Sequence, residues 1–137
     1  MANTLTPSAR SSYVKSGSLA RTDTTAKELF GLPKGAVISG IYVIGAAASN
    51  AGTSAVVEIG STTTANEYLA SFDVKTAATG EGYVPAGAAA VGSAMMTPLT
   101  ADVSVYGKYT ESGTASSAGG PWYIKVEYYI PPSGQSI

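Results

Sequence analysis

Nucleophilic and metal chemistry rest on a short set of side chains, and this 137-residue chain lacks two of them, having no His and no Cys. That removes Ser/His/Asp and Cys/His triads, imidazole or thiolate zinc, and disulfides. Carboxylates remain for acid–base work. Glu58, Glu67 and Asp73 lie on or beside neighbouring strand-like segments, and glycoside hydrolysis uses two carboxyls at a set separation. Nothing in their spacing places a pair at that separation, so the expected role is solvated charge on an outer face. Gly80-Glu81-Gly82 is too short for a phosphate loop and follows no strand-to-helix junction. No loop brings two acids close together as calcium requires. The expectation is no catalytic residue, no cofactor and no metal.

Two other sets of residues suit binding. Tyr106, Tyr123 and Tyr129 fall on the polar phase of two late strand-like segments and offer an aromatic platform for sugars. Cross-strand packing beside Lys108 and Lys125 is the preferred account of them. Trp122 falls on the apolar phase and reads as core. The second set is basic. Residues 1–34 hold Arg10, Lys15, Arg21, Lys27 and Lys34 against only Asp23 and Glu28, whereas residues 35–137 hold three basic side chains against seven acids. Such a segment, if extended at about 3.3 Å per residue, reaches across a neighbouring acidic protein surface. The whole chain has a formal charge of −1, which argues against nucleic acid, since phosphate neutralisation needs a dense basic face.

The elements that carry these residues are short. The first ten residues lack periodicity and read as an arm; residues 11–20 form a first strand around Tyr13 and Val14. Thr25-Ala-Lys-Glu28 fits a capping box, with Leu29 and Phe30 as an apolar turn, Gly31 as cap and Pro33 as stop, so one short helical turn is predicted. From Ala36 the period becomes two, with Val37, Ile41 and Val43 on one face and Ile38, Tyr42 and Ile44 on the other. Further strands are predicted at residues 54–60, 68–74, 102–109 and 121–130, with short ones near Tyr83–Val84 and Ala88–Val91. In the last, Trp122, Ile124, Val126, Tyr128 and Ile130 share a face opposite Tyr123, Lys125, Glu127 and Tyr129. Roughly eight strands without βαβ spacing give an all-β antiparallel sandwich, jelly-roll-like, with an extended N-terminal arm. The expected division is a basic arm with first strand and helical turn (1–34), a sandwich body (35–132) and a C-terminal tail (133–137).

Charged residues make up 12% of the chain, about half the usual share near 25%. A surface so poor in charge is weakly protected against association, so neighbours are expected to cover part of it. No secretory signal opens the chain and no run of about 20 apolar residues crosses a membrane, so synthesis in a cytoplasm is expected.

Ala26-Lys-Glu-Leu-Phe-Gly-Leu-Pro-Lys-Gly-Ala-Val-Ile-Ser-Gly-Ile-Tyr-Val43, followed by Gly52-Thr-Ser-Ala-Val-Val-Glu-Ile-Gly60, resembles small virion proteins of tailed bacteriophages. The likeness is to the jelly-roll cement, or head decoration, proteins of podovirus type. The resemblance implies a non-enzymatic virion protein, made in the host cytoplasm, that binds the outside of an assembled capsid. There it would stabilise contacts between subunits of the major capsid protein, as a homo-oligomer. From charge, the capsid-contact candidates are Arg10, Lys15, Arg21, Lys27 and Lys34. From exposure, the oligomer-interface candidates are Tyr42, Tyr106, Tyr123 and Tyr129, with a dimer ahead of a trimer. The alternatives are a glycan- or receptor-binding virion module of a head fibre or tail, and a tail or neck connector.

Overall fold

The computed structural model describes residues 12–76, 80–85 and 97–132. Eight strands follow one another: β1 (Ser12–Leu19), β2 (Lys27–Leu32), β3 (Val37–Gly45), β4 (Ser54–Gly60), β5 (Leu69–Asp73), β6 (Gly80–Pro85), β7 (Val103–Ser112) and β8 (Trp122–Tyr129). They form two four-stranded antiparallel sheets. Sheet A runs β1-β8-β3-β6 and sheet B runs β2-β7-β4-β5. Successive strands alternate between sheets through β1 to β4 and again at β6, β7 and β8, which is the interleaved order of a jelly roll. The sandwich and its jelly-roll character are thus as the strand pattern predicts.

The core is the apolar phase of both sheets. From β8 come Trp122, Ile124, Val126 and Tyr128; from β3, Ile38, Ile41 and Val43; from β4, Ala55, Val57 and Ile59; from β7, Val105 and Tyr109. Each large side chain so buried contributes about 1.5–3 kcal/mol relative to exposure. Tyr109 and Trp122 stack with ring centroids 5.2 Å apart, joining the sheets through an aromatic pair.

Two bulges depart from simple alternation. The β2–β7 register shifts between Glu28 and Phe30, and both Leu29 and Phe30 pack against the core. This corrects the predicted helical turn: residues 27–32 are strand β2. The adjacent apolar pair that mimics a helical turn is accommodated by a bulge, which lets two consecutive side chains address one face. Glu28 does not reach back to an N-terminus; it accepts from the Ser104 hydroxyl across the sheet at 3.0 Å. In β3 the register with β8 shifts between Ile38 and Gly40. Ile38 therefore joins Ile41 and Val43 in the core, while Val37 is buried outside that cluster. The assignment of Val37 to the face of Ile41 and Val43 is corrected accordingly.

The first strand belongs to sheet A and β2 to sheet B, so residues 12–32 are woven into both layers. Residues 1–11, the expected strand at Ala88–Val91 and the tail 133–137 lie outside the described residues.

Candidate interaction surfaces

At one end of the sandwich the β3–β4 and β7–β8 connections are bound to each other. Asn50 Oδ1 accepts from the Ser117 and Ala118 amides, and the Gly52 amide donates to the Thr114 carbonyl. Gly119, at φ +131°, lies so close to this connection that a Cβ would stand 2.6 Å from Ser49 Cα. Only glycine fits there. Beneath, the Tyr109 hydroxyl gives its proton to Glu111 at 2.7 Å and lies 2.6 Å from Ser49 Oγ, which must then be the donor to it. Burial pushes the Tyr109 phenol up despite the Ser116 and Ser49 hydroxyls beside it. The Ser116 and Tyr109 hydrogen bonds hold the Glu111 carboxyl below its ordinary range.

The basic candidates divide. Arg21 Nη1 donates to the Ser116 carbonyl at 2.8 Å, tying the β1–β2 connection to this same end. Lys27 Nζ lies 3.5 Å from Asp23 Oδ2 and 3.1 Å from the Ser18 carbonyl. Lys15 and Lys34 are exposed, and their ammonium groups have no ion pair or hydrogen bond among the described residues. Lys15 stands at an open groove of about 370 Å³ between the β1 and β2 edges, lined also by Leu32, Pro33, Asp102, Val103 and Tyr128. Asp102 fixes the groove's rim by accepting from the Lys34 amide at 2.8 Å. Arg10 lies outside the described residues.

The tyrosines also divide. Tyr42, Tyr123 and Tyr129 project from the outer face of sheet A, whereas Tyr106 stands on the outer face of sheet B opposite Glu28 and Gly60. No single contact formed by one sheet face takes all four, and the platform of Tyr106, Tyr123 and Tyr129 is not assembled. Lys125 Nζ lies 4.4 Å from the Tyr42 ring centroid, a cation–π contact.

The three carboxylates considered for hydrolysis each have structural partners. Glu58 pairs with Lys108 at 3.7 Å and accepts from the Thr110 hydroxyl at 2.7 Å. Asp73 caps the turn after β5, accepting from the amides of Lys75 and Thr76 and from the Thr76 hydroxyl, which together hold its carboxyl low. Glu67 accepts from the Ser61 amide and from the hydroxyls of Thr62 and Thr64. Burial alone would raise its pKa, but the Thr62 and Thr64 hydroxyls, with the backbone amides of Glu67 and Thr62, outweigh it and bring it to about 2.

What the sequence reading overlooked is the exposure along β1. Val14 is 52% exposed and Tyr13 48%, matched in β8 by Tyr123 at 51%. Their spacing marks a strand but carries no sign that the strand is at an edge, because pairing order is a property of the whole fold.

No protein-family model matches the chain, and no curated protein does. Solved structures do match. One is a chain of the acidic stable capsid structure of Helicobacter pylori bacteriophage KHP30. It aligns over 88% of this chain and 89% of its own at TM-score 0.62 and 17% identity. Another is a chain of the cyanophage Pam1 capsid asymmetric unit, aligned over 89% of this chain and 86% of its own at TM-score 0.61 and 16% identity. At such identities the likeness is one of fold.

Proposed function

We propose that this chain is a structural, non-enzymatic virion protein that binds the outside of an assembled phage capsid and stabilises contacts between major capsid subunits. The observation that carries the reading is the likeness of fold, over 88% and 89% of this chain, to chains of two phage capsid structures. The charge distribution supports it: among the described residues Lys15, at the groove, and Lys34, whose amide is held by the groove residue Asp102, keep exposed ammonium groups without an ion pair, suited to an acidic partner. Arg21 and Lys27 serve first to hold the chain's own connections. On this reading the protein acts as a homo-oligomer, a dimer ahead of a trimer, in a cement or decoration role. Micromolar binding to two neighbouring subunits supplies about 8 kcal/mol per bridge, and many copies sum to a substantial resistance to shell opening.

Purified particles test this. The chain is expected in a fixed ratio to the major capsid subunit and accessible to surface labelling. Replacing Lys15 and Lys34 together by Ala should weaken binding to bare shells, and added salt should weaken the native protein likewise as the Debye length falls below about 8 Å. Particles that lack the chain would overturn the reading.

A further inference from the structure

We infer that the outer edge of β1 is a self-pairing site. Two copies would join there by antiparallel β1–β1 addition, making one eight-stranded sheet across a two-fold axis centred on Ser16. The inference deepens the self-association proposed above and rests on it.

Free sheet edges present rows of unpaired backbone groups, and natural proteins guard them with short strands, bulges, proline or charge. Three of the four edges here are guarded. β2 has six residues, a bulge at Leu29 and the charges of Lys27 and Glu28. β5 has five residues and an interrupted register with β4. β6 has six residues and ends in Pro85. β1 is the longest and most regular of the four edges, and charge is the one guard it has. Its eight residues pair one for one with β8 without a shift, it has no proline, and among the described residues nothing pairs with its other side. Lys15 is its one charge.

That charge also selects the register. Keeping both sandwiches on the same side of a continuous sheet requires inward residues to face inward residues. Near-full overlap of the strands then leaves two centres. A centre on Lys15 sets ammonium against ammonium and is unfavourable. A centre on Ser16 sets Lys15 opposite the second copy's Gly17, Tyr13 opposite its Leu19, and Val14 opposite its Ser18. Ser18 in turn lies beside Tyr123, so one outward row reads Tyr123, Ser18, Val14 across the axis, at about 4.8 Å per strand. Val14 and Tyr123, the most exposed large apolar side chains of sheet A among the described residues, thus approach each other over a serine too small to separate them. Backbone hydrogen bonds supply affinity in such additions, and the side-chain row fixes the register.

The chain contains no cysteine, which makes the test clean. Ser16→Cys places two thiols directly opposite, at the roughly 4.5–5.5 Å Cα spacing of antiparallel partners, within disulfide reach. Under mild oxidation this variant should form a covalent dimer in high yield, while Ser71→Cys, exposed on β5, should not. In sedimentation the native chain should be a dimer. Val14→Lys, Ser16→Lys and Ser18→Lys together should weaken association roughly tenfold to a hundredfold, and the corresponding triple Glu variant likewise. Mixing the two should restore a heterodimer, which also shows that both are folded. A monomeric native chain, a Ser16→Cys yield no better than the Ser71→Cys control, or a mixture that stays monomeric would each overturn the inference. Shell binding is scored separately. A chain that decorates shells without Ser16 cross-linking overturns only the edge pairing, and a cross-linking dimer absent from particles overturns only the capsid reading.

Discussion

The two outer faces of this sandwich share one core yet settle their polar groups in opposite ways. On sheet B the charges are answered from within: Glu58 has Lys108 and Thr110, and Glu28 has the Ser104 hydroxyl. Among the described residues, the three carboxylates held below their ordinary range, Glu67, Asp73 and Glu111, all belong to sheet B or its connections. On sheet A, Lys125 lies over the Tyr42 ring, Val14 and Tyr123 are half exposed, and the Glu127 carboxylate has no partner among the described residues. A face that answers its own charges is complete in one copy. A face that leaves apolar area and a carboxylate unanswered is suited to being covered, so on the proposed reading sheet A and its β1 edge are the side that would meet neighbours.

The contrast presumes that β8 is two-sided, and the largest effect tests that. Ile124 is fully buried between the sheets, so Ile124→Ala should cost on the order of 2–5 kcal/mol in denaturant unfolding. Lys125→Ala on the next residue should cost less than about 0.5 kcal/mol, apart from the modest Tyr42 contact. Equal costs would mean that the strand does not separate core from surface.

That two-sidedness was legible in the sequence because β8 alternates without interruption over Trp122–Tyr129, and the same holds for β4 and β7. Alternation failed where a bulge resets the phase. At Leu29-Phe30 two neighbouring apolar residues imitate a helical turn, and at Ser39 the shift puts Ile38 into the main core cluster and leaves Val37 buried outside it. The candidate surfaces were legible only in part. Tyrosines and lysines can be listed from a sequence, but Tyr106 is parted from Tyr42, Tyr123 and Tyr129 by strand order, which arises from contacts distant along the chain. The availability of Lys15 and Lys34, against the engagement of Arg21 with Ser116, likewise depends on a carbonyl nearly a hundred residues away.

Acid should loosen sheet B's connections in a defined window. Glu67 has its folded pKa lowered to about 2 from an ordinary value of 4.5. A lowered folded value means stability that is fully present above the unfolded pKa and is lost as pH falls from about 4.5 through about 2. Near neutral pH, Glu67→Gln should therefore cost on the order of 1–2 kcal/mol, allowing for partial exposure. The difference from the native chain should shrink as pH approaches 2. Unfolding measured on both proteins at a series of pH values checks this; a difference independent of pH would show that the loop is held by shape rather than by the carboxylate's charge.

The smallest effect sharpens the comparison most directly, because it sets one carboxylate on each face against the other. Glu58 is largely covered and engaged by both Lys108 and Thr110. Glu58→Gln weakens an ion pair and a charge-assisted hydrogen bond and should cost somewhat under about 1 kcal/mol at low salt, less as salt rises. Among the described residues Glu127 has no such partner, so Glu127→Gln removes charge without removing a bond and should leave the stability of an isolated copy unchanged within about 0.5 kcal/mol. If sheet A is the covered face, the order reverses when binding is measured. Glu127→Gln should then alter self-association or shell binding, in a salt-dependent way, while Glu58→Gln leaves both as they were. Should Glu58→Gln disturb assembly and Glu127→Gln leave it untouched, sheet B would be the face that meets neighbours, and its internal ion pair would have to open to do so.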